Sequence, residues 1–305
     1  MPYVSRVTAY THLTPHDLQP PGEPEVFFEP ADTETGVWVA TDLLPPGGGG
    51  TVLDLGSGSG AAAAAMARAG AARVHGIDSG EQTLRYAHTR YASSPGDGRV
   101  TFARGDFALM SAAQLLATAP GPLPRPLVVT SNPAYVPLPP DAGRARPSIS
   151  GGADGLKWAG PIAGHARALG ADLGLTLGSY STPRRAVAVC TEAGYRIAAV
   201  TLCPLPLGDF TRRHPERVLA LEEAGEAVLW RRGPDPLAYF IVGLACRRAE
   251  GGGRPAGAEE LMDLLHSAAR STTTRLENLD APGETPCPWP VRVLDLPRAS
   301  ARHHW

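Results

Sequence analysis

Positive charge is thinly spread along this sequence. Only one of its 28 basic residues is a lysine, Lys157, and the formal net charge is −2. The arginine pairs at 184–185, 212–213 and 231–232 are far from one another, and we interpret them as solvated helix ends or loop charges. Proteins that bind DNA or RNA usually present a basic face that neutralises phosphates, so we expect no nucleic-acid partner.

Cysteine is scarce, and long apolar runs are missing. The four cysteines form no CxxC pair and no histidine pair lies at ligand spacing, so we expect reduced thiols and no metal site (Cys190, Cys203, Cys246 and Cys287). No apolar run approaches the roughly 20 residues of a membrane-spanning helix. The amino terminus also lacks a basic-then-apolar export signal, so we expect a cytoplasmic protein with no membrane partner.

A glycine-rich turn joins a short apolar strand to an alanine-rich helix. Residues 52–55 form the apolar run of a strand that is covered on both faces. Gly56, Gly58 and Gly60 let the backbone turn sharply and come close to a ligand. The helix predicted over 61–69 points its free N–H groups at a carboxylate or phosphate. The spacing is GxGxG rather than the GxGxxG of NAD sites, and it predicts a cradle for a different nucleotide-type cofactor.

Acidic residues lie at or beyond the ends of three successive predicted strands. Asp54 precedes the first glycine by two positions, Asp78 ends the strand predicted over 73–77, and Asp106 follows the strand predicted over 100–103. A carboxylate placed as Asp78 is can accept hydrogen bonds from both hydroxyls of a ribose.

This acidic and glycine-rich pattern resembles motif I of the class I S-adenosylmethionine (SAM) methyltransferases. The resemblance implies SAM as the cofactor, with Asp106 accepting from the adenine amine and Phe107 packing near the ring. The candidate cofactor-binding residues are Asp54, Gly56, Ser57, Gly58, Gly60, Asp78, Asp106, Phe107 and Asn132.

The fourth predicted strand runs into Asn132-Pro133-Ala134-Tyr135. Proline stiffens such a turn, so that the Asn132 oxygen and a neighbouring backbone carbonyl can converge on an N–H or O–H of a nucleophile. The segment resembles the (N/D)PP(Y/F) motif of methyltransferases that modify planar nitrogens. We therefore expect Asn132, Pro133 and Tyr135 to be catalytic, with His214 or His165 as a base where the nucleophile needs one.

The resemblance extends to the HemK-type enzymes that methylate the glutamine amide of release factors, and it covers about residues 26–200. It includes 151–156 and, more loosely, 28–35, which is similar to the Pro-x-x-Glu-Thr segment before motif I. It implies a doubly wound, mostly parallel, seven-stranded Rossmann-like sheet whose last strand, 237–246, is antiparallel beside the fifth. Three departures point away from glutamine: Ala134 replaces the second proline, a substrate-docking module is expected to be absent, and the chain after Leu202 does not match.

Length and composition favour one catalytic domain with appendages, because 305 residues with 43% hydrophobic content can bury a full core. We assign residues 1–50 to a proline-rich arm or lid, 51–250 to the SAM-binding catalytic domain, and 251–305 to a linker and tail with an amphipathic helix at 258–269. An insertion at 203–235 is expected over the cofactor pocket, with three candidates for substrate contact, Phe210, Arg213 and His214.

These observations predict a SAM-dependent transferase that moves an alkyl group to a nitrogen or oxygen of a small molecule. Methyl is the favoured group, and the expected role is in specialised biosynthesis such as that of antibiotics. Attack at the γ-carbon of the methionine arm would instead give 3-amino-3-carboxypropyl transfer, as in isonocardicin synthase, or cyclisation that releases methylthioadenosine. Three further hypotheses compete with these, namely a protein glutamine methyltransferase, a non-catalytic binding module and a nucleotide-dependent oxidoreductase.

Overall fold

The fold is built on one mixed sheet flanked by helices. A computed structural model describes residues 4–23, 26–92, 99–231, 237–249, 257–271, 276, 279 and 287–298. Within them the strands are β1 (Val4–Val7), β2 (Thr51–Leu55), β3 (Arg73–Asp78), β4 (Val100–Arg104), β5 (Leu127–Ser131), β6 (Asp172–Gly178), β7 (Tyr195–Pro206), β8 (Ala238–Arg248) and β9 (Val291–Leu294).

Helices connect most of these strands. They are α1 (Pro30–Leu43), α2 (Ala61–Arg68), α3 (Glu81–Tyr91), α4 (Ala112–Ala117), α5 (Pro140–Ala145), α6 (Ala159–Ala168), α7 (Pro183–Glu192), α8 (Asp209–Arg213), α9 (Glu216–Glu223) and α10 (Ala258–Ala269). No helix in these described ranges is both long enough and apolar enough to cross a bilayer.

The strand order is β1-β9-β7-β8-β6-β5-β2-β3-β4. Strand β8 runs antiparallel to β6 and β7, and every other neighbouring pair is parallel. The predicted doubly wound, mostly parallel sheet is therefore confirmed. The strand predicted at 237–246 is β8, and it runs antiparallel beside β6, as expected. The expected count of seven strands is two short, because β9 adds to the exposed edge of β7 and β1 adds to β9.

Helices cover both faces of the sheet, which explains why its central strands are apolar throughout. Strands β2 and β5 are buried at every position. Helices α1, α2 and α3 contribute to the core on one face. On the other face, α6, α7 and α10 share a larger core with β5, β6 and β8.

The two chain ends take part in the sheet layers. Strand β1 is an edge strand, α1 packs on β6, β7 and β8, and α10 packs on α7. The predicted helix at 258–269 is confirmed, with Leu261, Leu264 and Leu265 buried. A lid function for the amino-terminal arm stays a prediction. The predicted linker at 251–256 and the end of the insertion at 232–235 lie outside the described residues.

Candidate active site

The glycine turn after β2 has the backbone shape that only glycine adopts easily. Gly56, Gly58 and Gly60 have φ values of 75°, 53° and 82°. At Gly60, an added Cβ would also lie 2.7 Å from the ring of Phe102. The turn is tied to β3, since the N–H groups of Gly56 and Ser57 donate to the carbonyl of Ile77 at 2.8 and 3.1 Å.

Two carboxylates lie beside this turn. Asp54 is buried and accepts a 2.9 Å hydrogen bond from the Thr130 hydroxyl, and burial raises its pKa to about 6. Asp78 accepts from the N–H groups of Gly58 at 3.0 Å and Gly80 at 2.8 Å, one on each oxygen. Burial raises the pKa of Asp78, and these backbone donors oppose the rise. Each oxygen of Asp78 keeps a lone pair for a ligand hydroxyl.

Asp106 and Phe107 lie at the β4 side of the same edge. Asp106 accepts from the N–H of Ala108 at 2.9 Å, and the Phe107 ring packs edge-on against Trp158 with centroids 5.6 Å apart. The His165 ring hydrogen-bonds the Phe107 carbonyl at 2.6 Å through Nε2 and is not among the residues lining the cavity. His165 therefore positions the Phe107 loop in this structure.

The Asn-Pro-Ala-Tyr turn follows β5, and its polar groups point in two directions. The Asn132 oxygen accepts a hydrogen bond from the Thr176 hydroxyl of β6. The Tyr135 hydroxyl donates to Asp32 Oδ2 at 2.9 Å. One lone pair of the Asn132 oxygen is thus already engaged, and the second is left for a nucleophile.

Sequence reasoning missed two buried acids at the start of α1. Glu29 caps the helix by accepting from the N–H of Ala31 at 2.9 Å, and burial raises its pKa to about 8. Burial also raises the pKa of Asp32 to about 6, with the Asn132 side chain and the Tyr135 hydroxyl acting in the opposite direction. The one sequence signal was the loose similarity of segment 28–35 to Pro-x-x-Glu-Thr.

Three tyrosines surround Asp32. The ring centroids of Tyr180 and Tyr239 are 4.5 Å apart, and those of Tyr135 and Tyr180 are 6.0 Å apart. All three side chains are buried. Tyr239 reaches this place because β8 is antiparallel, so that its first residues meet the carboxyl ends of the parallel strands.

A single cavity of about 920 Å³ joins these groups along the carboxyl edge of the sheet, from β4 to β8. Its volume is near the upper end of the usual range for ligand pockets, about 300–1,000 Å³. Among the described residues that line it, the cationic side chains are Arg85 and Lys157. The acids that line it outnumber them and are Glu29, Asp32, Asp54, Asp78, Glu81 and Asp106.

The insertion meets this cavity through residues that the sequence did not single out. Gly208 and Thr211 line it. His214 is exposed and packs against Phe210 with ring centroids 4.9 Å apart, and the Arg213 guanidinium bonds the Asp209 carbonyl. The structure therefore brings together Asp54, Asp78, Asp106, Asn132 and Tyr135, but not His214.

The segment that carries the cofactor residues has a recognisable family pattern. Residues 52–115 match a family model described as a methyltransferase domain. The match spans the glycine turn, Asp78 and Asp106, and the sheet order around it agrees. This segment is therefore similar to a methyltransferase domain, and SAM is the cofactor that the match implies.

Solved structures of methyltransferases also resemble this chain. One is a candidate RNA methyltransferase from Pyrococcus horikoshii, with 13% identity, coverage of 77% of this chain and 92% of that one, and a TM-score of 0.47. Another is a TehB-like SAM-dependent methyltransferase from Corynebacterium glutamicum, with 12% identity, 70% and 88% coverage, and a TM-score of 0.37. Both similarities are distant, and we draw no functional conclusion from them. No curated protein matches the sequence.

The residues of the methyltransferase site fit SAM. The buried Ser57 hydroxyl has no hydrogen-bond partner within the described part of the chain, and it lines the cavity beside the glycine turn. Asp78 has lone pairs for the ribose, and the acidic lining suits a sulfonium cation.

Proposed function

We propose that this methyltransferase transfers the methyl group of SAM to a nitrogen or oxygen of a small metabolite in specialised biosynthesis. The observation that carries the proposal is the extent of the cavity, which continues past the cofactor residues of β2, β3 and β4 to Asn132, Tyr180 and Tyr239. This second half, lined by β5, β6 and β8, has room for an acceptor. Its acidic lining suits a small molecule better than a nucleic-acid backbone.

The cofactor half would hold SAM through groups of this chain. Asp78 would bind the ribose hydroxyls, Asp106 and Phe107 would face the adenine, and the glycine turn and Ser57 would contact the remainder. When bound, SAM supplies a methyl carbon activated by a positive sulfur. The protein then has to place a nucleophile in line with that carbon, so orientation supplies most of the acceleration.

Asn132 is the group that we assign to this orientation. Its free lone pair and a backbone carbonyl of the turn would accept from the nucleophile and stabilise the positive charge that develops on it. Pro133 stiffens the turn, and Tyr135 anchors it to α1 through Asp32. A base role for His214 would require α8 to move, since this side chain is exposed. The proposal also includes the resemblance of the Asn-Pro-Ala-Tyr turn to the corresponding turn of the HemK-type methyltransferases.

The product derived from SAM tests the proposal. The protein is incubated with SAM and a panel of small amines, phenols and carboxylic acids, and the products are separated by mass spectrometry. We expect S-adenosylhomocysteine together with an acceptor that has gained one methyl group. Methylthioadenosine with an acceptor carrying the aminocarboxypropyl group would overturn methyl transfer, and an oligonucleotide or peptide acceptor would overturn the small-molecule assignment.

A further inference from the structure

One part of the cavity lining is what we name the tyrosine chamber, formed by Asp32, Tyr135, Tyr180 and Tyr239. Asp32 is 1% exposed. Its Oδ2 accepts from Tyr135, and the Asn132 side chain lies close enough to lower its pKa, whereas its Oδ1 has no hydrogen-bond partner among the residues that the structure describes. A buried carboxylate oxygen without a partner is costly, and Asp32 is one of the residues that line the cavity.

The aromatic rings add a second feature that favours positive charge. The faces of tyrosine rings attract ammonium groups, more strongly where water is excluded. Tyr180 and Tyr239 pack 4.5 Å apart, and all three tyrosines are at least nine-tenths buried. The chamber thus places a buried carboxylate beside three aromatic rings that line the cavity.

Cations of the protein do not serve this carboxylate. Of the two cationic side chains found in the described lining, Arg85 pairs with Glu81 at 3.3 Å, and the Lys157 ammonium lies 4.1 Å from the Trp158 ring centroid. Glu29, at the start of the same helix, also lines the cavity, but burial raises its pKa to about 8, so it adds little charge at neutral pH. A cationic ligand would supply the positive charge that these side chains do not bring to Asp32.

We propose that the tyrosine chamber binds the protonated aliphatic amine of the acceptor, and that this amine nitrogen is the atom methylated. The inference rests on the proposed function and narrows its substrate class. The ammonium group gives one proton to the Asp32 carboxylate and becomes a neutral amine, and Asp32 releases this proton to solvent after the product has left. A nitrogen–carbon bond then forms while the carbon–sulfur bond breaks, the electron pair stays on sulfur, and the methylated product leaves as an ammonium ion.

Binding of matched probes tests the inference without turnover. Phenethylamine and phenethyl alcohol have nearly the same shape and differ in the charged group, and each is titrated by calorimetry into protein saturated with S-adenosylhomocysteine. We expect the amine to bind at least about tenfold more tightly than the alcohol. Equal affinity for the two probes would overturn the inference and leave the proposed methyl transfer intact, whereas wild-type protein that fails to bind S-adenosylhomocysteine would contradict the function itself.

Two variants test whether Asp32 causes the preference for the amine probe. Asp32→Asn removes the charge and keeps the shape, so we expect it to abolish the preference for the amine and to change the affinity for S-adenosylhomocysteine less than about twofold. Asp106→Asn is the control on the adenine side, and it should weaken S-adenosylhomocysteine binding while keeping the preference. If Asp32→Asn instead weakens S-adenosylhomocysteine binding about tenfold and the preference persists, the chamber serves the amino group of the cofactor and the inference is wrong. The comparison of probes on wild-type protein decides the matter even if a variant fails to fold.

Discussion

At the scale of single residues, the site separates cofactor binding from acceptor positioning. Asp78 holds the tip of β3 next to the glycine turn and keeps lone pairs for hydroxyl groups. Asn132 follows β5, which β2 separates from β3, and its side-chain oxygen accepts from the Thr176 hydroxyl of β6. The two residues should therefore respond differently to substitution.

Asn132→Ala should lower turnover at least about tenfold and leave SAM affinity near that of the wild type, because the amide orients only the nucleophile. Asp78→Ala is the contrasting variant, and it should weaken SAM binding by about 1.5–3 kcal/mol through lost charged hydrogen bonds. Steady-state kinetics and calorimetric titration measure the two effects. Unchanged turnover in Asn132→Ala would remove this residue from the mechanism, and unchanged SAM binding in Asp78→Ala would misplace the ribose.

Glu29 should make the stability of the free enzyme depend on pH. Burial raises its pKa from 4.5 to about 8 in the folded state, so its protonated form favours folding. That contribution is complete below the unfolded-state pKa and is lost as the pH rises towards 8, at about 1.4 kcal/mol for each pH unit.

We therefore expect Glu29→Gln to become more stable relative to the wild type as the pH rises from about 5 to about 8. Urea unfolding at several pH values measures the difference. The exposed Glu216→Gln is the control and should run parallel to the wild type. Parallel curves for Glu29→Gln as well would show that this carboxyl is not desolvated in the folded protein.

At the scale of elements, the position of α1 affects the site most, because Glu29 and Asp32 lie at its start and line the cavity. It lies close against the sheet where two strands have glycine. A Cβ added at Gly243 in β8 would lie 2.5 Å from Val39, and one added at Gly174 in β6 would lie 2.8 Å from the same side chain. These glycines therefore set the distance between α1 and the sheet.

Gly243→Ala should destabilise the protein by about 1–3 kcal/mol, because the new methyl group overpacks the contact with α1. Gly160→Ala in α6 is the matched control. Its new Cβ would meet nothing within 4 Å, so this change should be neutral or slightly stabilising. Thermal or urea unfolding of both variants gives the comparison, and equal stability would show that α1 is free to move away from the sheet.

At the scale of the whole molecule, the described part of the carboxyl-terminal region packs into the layers of the sheet. Helix α10 packs on α7, and β9 pairs with β7 and β1. The Arg292 side chain pairs with Asp42 at 2.7 Å and lies over the Trp38 ring, which connects β9 to α1. The tail is thus tied to the same layers that position the site.

Leu264→Ala should lower the free energy of unfolding of the entire protein by about 2–5 kcal/mol, because this side chain is fully buried and its loss leaves a cavity. His266→Ala, at an exposed position of the same helix, should have little effect. Urea unfolding should show one transition for both variants. A separate early transition in Leu264→Ala would mean that the tail is an independent unit.

Local sequence predicted the cofactor half well, because each of its parts is a contiguous strand, turn and helix. The strand at 51–55, the helix at 61–68 and the acid at the end of β3 all lie within a few residues of their predicted bounds. The short strands β1 and β9 could not be predicted in this way. Each has four residues, and their pairing joins the two ends of the chain.

The sequence by itself determined the sheet class, the cofactor and the turn at Asn132, since those features depend on glycine geometry, apolar periodicity and residues close together in the chain. Only the tertiary structure decided what faces that turn. Asp32 and Tyr135 are 103 positions apart and meet because α1 lies across β6, β7 and β8, while Tyr239 joins them because β8 runs antiparallel. Burial then raises the pKa of Asp32 and leaves one of its oxygens without a hydrogen-bond partner among the described residues, an effect that depends on surroundings which no short stretch of sequence contains.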